Sequence, residues 1–140
     1  MAVRVRVRVE SGGRELVTTA LLNTGFESDD AEILLPLRAA ERLGLWPPPS
    51  DARTETYVSA SGYMRVVKIP RAGTVTVLAG DRSSESVVAD FLVSEVTDEV
   101  LLNDKLIGRL KIVIEEPGEG LWRFRDEDRP RASERPERWL

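Results

Sequence analysis

The chain has 140 residues, 41% of them apolar, and a formal net charge of −4 with 31% charged residues of both signs. That size suits one domain, or one domain with a tail, and the charge balance argues against a general nucleic-acid binder, which is usually basic. There is no Cys and no His, which excludes disulfides, thiol chemistry, Ser-His-Asp triads, Cys-His dyads and zinc sites built on those ligands.

Val3, Val5, Val7 and Val9 alternate with Arg4, Arg6 and Arg8, a period of two that predicts a half-buried strand with a basic outer face. The same alternation is wrong for a secretory leader, and no apolar run approaches the ~20 residues that span a bilayer. A soluble, cytoplasmic protein with no membrane partner is expected. Ser11-Gly12-Gly13 predicts a hairpin turn, and residues 16–22 a second strand, apolar toward its end. Pro36 opens a helix that carries Leu37 and Ala40 and stops at Leu43-Gly44-Leu45. Trp46-Pro47-Pro48-Pro49-Ser50 is a stiff connector.

Residues 56–60 and 64–69 flank Ser61-Gly62 and predict a long hairpin. Residues 74–78 and 87–93 are further strands, separated by the polar turn Gly80-Asp81-Arg82-Ser83-Ser84. Val100-Leu101-Leu102 is a short apolar run, after which Asn103 is placed to cap a short helix through Leu106 and Arg109. Residues 110–114 read as a closing strand. Beyond Pro117 the composition changes: residues 125–138 are nearly all charged, Pro, Ser or Ala, and read as disordered or loosely docked. Leu121-Trp122-Arg123-Phe124 interrupts that tail as a candidate docking segment.

Three segments carry a resemblance to a known family. They are Ala20-Leu21-Leu22-Asn23-Thr24-Gly25 with the downstream Leu43-Gly44-Leu45, then Ser59-Ala60-Ser61-Gly62-Tyr63, and then Val100-Leu101-Leu102-Asn103-Asp104-Lys105-Leu106. In order and spacing, over roughly residues 3–115, they resemble the retropepsin-like aspartic peptidases, the single-domain retroviral type, of the archaeal or bacterial kind. The family shows an apolar run into Asp-Thr-Gly, a hairpin flap, and an Ile-Leu-Gly-Arg-Asp-x-Leu segment. Here Asn23 stands for the aspartate, Leu102 for the glycine and Asn103 for the arginine.

The resemblance implies a mainly β fold, a closed β-barrel-like acid-protease domain with one or two short helices over residues 1–116, followed by a charged tail at 117–140 with the possible docking segment 121–124. It implies a homodimer, because one chain supplies half a site, and the family's chain termini commonly contribute to that interface; residues 3–9 and 110–114 are the candidates. In the family, two facing aspartates share one proton, since like charges so close cannot both ionise. The ionised partner activates water, the threonine hydroxyls bond across the dimer, and the flaps hold an extended peptide by main-chain hydrogen bonds. Carried onto this chain, the catalytic positions are Asn23, Thr24 and Gly25, and the substrate-binding positions are Ala60, Ser61, Gly62 and Tyr63. No cofactor and no metal are implied, and Glu27 is expected to pair with Lys105 or Arg109. With Asn23 the chain is expected to be inactive as an endopeptidase, through an engineered substitution or a natural loss. A catalytically dead dimeric module that binds peptide or protein is the alternative.

Overall fold

A computed structural model describes residues 2–59 and 62–140. Its strands are β1 (Arg4–Ser11), β2 (Arg14–Leu22), β3 (Glu32–Pro36), β4 (Arg53–Ser59), β5 (Gly62–Val77), β6 (Val87–Ser94), β7 (Val100–Leu102), β8 (Ile112–Glu116), β9 (Leu121–Phe124) and β10 (Arg131–Ala132); the helices are α1 (Leu37–Arg42) and α2 (Asp104–Arg109). The protein is mainly β. Seven strands pair in the order β1-β2-β7-β3-β6-β5-β4, and a further β1–β5 pairing closes six of them into a barrel.

The alternation in β1 does what its period requires. Val3, Val5, Val7 and Val9 are buried in the barrel, and the arginines point outward. Opposite them on β2, the inward set is Leu16, Thr18, Ala20 and Leu22. Phe91, Ile33, Leu35, Leu102 and Leu106 fill the centre.

The two segments expected as separate strands, 64–69 and 74–78, are one strand, β5, 16 residues long with an irregularity between Ile69 and Gly73. That bend lets its first half pair with β4 and its second half reach β1. Gly73 makes the closure possible: a Cβ there would lie 1.9 Å from the Glu10 carbonyl oxygen and 2.8 Å from the Phe91 ring, far inside contact distance. Residues 110–114 do not close the barrel. β8 pairs with β9, and β9 with β10, in a separate three-stranded sheet. β3 was not expected from the sequence; it is parallel to β6 and antiparallel to β7 and is buried throughout.

The tail departs most from expectation. The root of the tail, residues 125–132, has specific partners in the rest of the chain. Arg131 bonds both carboxylate oxygens of Asp81, at 2.6 and 3.0 Å, and reaches Glu127 at 2.5 and 2.9 Å. Its guanidinium also lies 5.8 Å from the Trp122 ring centre and 5.5 Å from that of Phe124, within cation–π range. Composition alone hides this, because the partners of these charges sit elsewhere in the chain.

Candidate functional site

β2 runs parallel to β7, with Leu22 opposite Leu102. At its end the chain leaves the sheet at Asn23, whose N–H donates to the Leu102 carbonyl at 3.0 Å. The loop then turns on itself. Phe26 N–H donates to the Asn23 carbonyl at 3.1 Å, and Gly25 N–H donates to the Asn23 side-chain oxygen, also at 3.1 Å. This is the side-chain-to-backbone turn that Asn favours. Asn23 is half-buried, while Thr24 and Gly25 are exposed. Among the described residues nothing demands glycine at position 25: a Cβ would meet only the Asn23 oxygen, at 3.4 Å, an ordinary contact.

Asn103 holds the far side of the loop. It is fully buried. Its oxygen accepts from Glu32 N at 2.9 Å and from Leu106 N at 3.0 Å, and its amide nitrogen donates to the Asp30 carbonyl at 2.9 Å. One amide thus caps α2 and ties the loop to β3. Asp104 N donates to the Phe26 carbonyl at 3.1 Å and adds a backbone tie. An uncharged side chain joins these elements. The ion pair expected of Glu27 does not form with either candidate; Lys105 reaches Asp104 at 3.5 Å instead. Leu102 is buried in the core. The carboxylates nearest in sequence to this segment are engaged: Asp98 with Arg138 at 3.2 Å and Glu99 with Arg4 at 2.6 Å.

The β4–β5 hairpin leans on this loop. Phe26 meets Tyr57 of β4 edge-to-face, with ring centres 5.8 Å apart, a favoured aromatic geometry. Of the expected flap residues, Ala60 and Ser61 lie outside the described residues. Gly62 has φ +119, a conformation that favours glycine, and Tyr63 is 83% exposed. Tyr63 stands opposite Val58, also exposed, across the hairpin. Beside them Trp46, Met64, Val66, Val93 and the exposed Val96 line a cleft of about 500 Å³ with Tyr63.

Beneath the hairpin lies a charged cluster that the sequence reading missed. Glu32 (β3) is fully buried; its carboxylate meets Lys68 Nζ (β5) at 2.8 Å and accepts from the Tyr57 hydroxyl at 2.9 and 3.0 Å. Asp90 (β6) lies 3.5 Å from Lys68 and accepts from Arg71 N at 2.7 Å. Burial alone would lower the Lys68 pKa, but the bond to Glu32 and the charges of Glu32, Glu55 and Asp90 outweigh it and leave the value raised. Burial, then the bond to Glu32, holds the Tyr57 hydroxyl protonated well above its usual range. The available signals were the one charge in apolar β3, Glu32 at its start, and the one in apolar β6, Asp90; Lys68 is one of three cations in β5, beside Arg65 and Arg71, and is not marked out by the sequence.

No protein-family model and no curated protein matches the chain. Among the described residues, no helix is long and apolar enough to cross a membrane.

Proposed function

We propose that the protein is a homodimeric, retroviral-like aspartic endopeptidase homologue, silent in this form because Asn23 occupies the catalytic position. The observation that carries the reading is the Asn23-Thr24-Gly25 loop itself. It leaves the barrel beside β7 with Thr24 and Gly25 exposed, and an aromatic contact seats the β4–β5 hairpin against it. A second copy presenting the same loop would complete a two-fold site, with the hairpins closing over an extended peptide in the neighbouring cleft. The amide at position 23 keeps the turn but does not titrate near neutral pH. Two facing copies therefore lack both the base that activates water and the acid that supports the carbonyl. Loss of one catalytic base costs on the order of 10²–10⁴-fold in rate, and here both members are gone.

The test is digestion of a peptide library from acidic to neutral pH by the present form and by Asn23→Asp. The aspartate form is expected to cleave with an acid-shifted profile, and the asparagine form not at all. Cleavage by the asparagine form would overturn the mechanism. An aspartate form that folds, dimerises and binds peptides without cutting them would favour the second reading, a dimeric binding module.

A further inference from the structure

β1 is bonded to β2 along its whole length but to β5 only from Val7 to Glu10. Among the described residues Arg4 therefore has no strand partner on the β5 side, and the C-terminal segment takes that edge. Arg4 N donates to Ser133 Oγ at 2.7 Å, and Glu134 N donates to the Arg4 carbonyl at 2.9 Å. The segment then crosses to β2. Glu137 N donates to Thr19 Oγ1 at 2.9 Å, and Trp139 Nε1 donates to Thr18 Oγ1 at 3.0 Å. Both threonines are buried. Trp139 N donates to the Asp98 carbonyl at 2.7 Å, and the Arg42 guanidinium lies 5.5 Å from its ring centre. Arg6 meets Glu134 at 3.1 Å and Glu137 at 3.3 Å.

This is how a surface holds an extended peptide. The segment adds no regular strand beyond β10, and Pro136 removes a donor. Two glutamates and a tryptophan at fixed spacing provide the charge pairing and the aromatic anchor, while side-chain hydroxyls satisfy part of the backbone. A segment held by few backbone bonds opens locally at low free energy. We propose that the surface of β1 and β2 around Arg6, Thr19 and Thr18 is a binding site for an extended peptide of the pattern Glu-x-x-Glu-x-Trp, with the glutamates on the outward Arg6 and the tryptophan against the inward Thr18 and the core. Residues 134–139 fill it in cis, and the same segment of a second copy replaces them when the strap lifts. While the strap is seated, the free edge of β1 is closed to a terminal-strand interface.

A short tether holds such a strap at an effective concentration on the order of millimolar, so a free peptide competes poorly until the strap is weakened. The probe is a labelled synthetic peptide with the sequence of residues 133–140, titrated by fluorescence anisotropy into the full chain. Trp139→Ala is expected to bind it at least tenfold more tightly than the unaltered chain. Adding Arg6→Glu to that variant should reverse most of the gain, and a peptide with alanine for its tryptophan should not bind. Trp139→Phe, which removes the N–H donor and part of the ring while keeping an aromatic anchor, gives the same ordering with a smaller step and serves if the alanine variant folds poorly. Equal binding to strapped and weakened chains, or binding indifferent to Arg6→Glu, would overturn the proposal. Peptide cleavage plays no part in this readout, so it stands or falls apart from the Asn23 reading.

Discussion

Two irregular segments are fastened to the same barrel by different means. The loop after Asn23 is held by buried groups: Asn103, fully enclosed, and below it the Glu32–Lys68–Tyr57 cluster. The strap at 133–139 is held by both kinds of contact: Trp139 packs against the core, while the Arg6 pairs lie at the surface, with Arg6, Glu134 and Glu137 each more than 40% exposed. The buried ties are costly to break, because a group left alone inside has no water to turn to. The surface ties are each weak, screened and replaceable. A site that must keep its geometry suits the first arrangement, and a segment that exchanges suits the second.

The contrast is tested most severely at Lys68. Lys68→Met leaves Glu32 buried without its cation, and breaking such a pair typically costs about 3–5 kcal/mol. Denaturant melts at neutral pH should show that loss, and its absence would mean that the cluster is solvated in solution. The unaltered protein has a matching alkaline limit. Because the Lys68 value is raised in the fold, its contribution is complete below the unfolded pKa of about 10.4 and is lost as pH climbs through the higher folded value. Tyr57 acts in the same direction, since its raised folded value makes the unfolded chain the first to ionise above pH ~10.

Asn103→Ala comes next. It removes the α2 cap and orphans the buried Glu32 N–H, together about 2–4 kcal/mol. Amide exchange should quicken at Glu32 and Leu106 and leave β1 unchanged. Uniform exchange across the barrel would show that Asn103 supports the whole fold and not this loop in particular.

How much of this was legible in the sequence follows the same division. The Val/Arg alternation of β1, the Gly12-Gly13 hairpin and the Asn103 cap are local patterns, and each appears where its period or spacing puts it. β3 was hidden because Glu32 and Pro36 mark its ends as loop and helix start, and only pairing to both β6 and β7 makes those residues a strand. As a unit the buried cluster was not legible, because its members come from four strands and only their pairing brings them together. The tail was misread for a related reason. Its charges suggest solvation in composition, but Arg131 finds Asp81 fifty positions away and Arg6 finds Glu134 across nearly the whole chain. In the site, the turn at Asn23 is local and readable; its approach to the hairpin through Phe26 and Tyr57 is tertiary and is not.

The smallest expected effect sharpens the contrast from the strap side. Replacing Glu134 and Glu137 together by Gln removes both pairs with Arg6 while keeping the backbone bonds and Trp139. Exposed pairs are worth about 0–1 kcal/mol each and shrink with salt, so removing two should lower global stability by less than about 2 kcal/mol, with little difference left at 1 M salt. Acid should loosen the tail at its root as well. The hydrogen bonds from Arg131 hold the Asp81 and Glu127 carboxyls down at about 2. Their contribution is therefore present above the unfolded values near 4 and disappears as pH falls toward 2. Tryptophan fluorescence of the double variant against pH and salt would check both points. A loss comparable to that of Lys68→Met would mean that the strap is part of the folded core, and its exchange with a second copy would then be untenable.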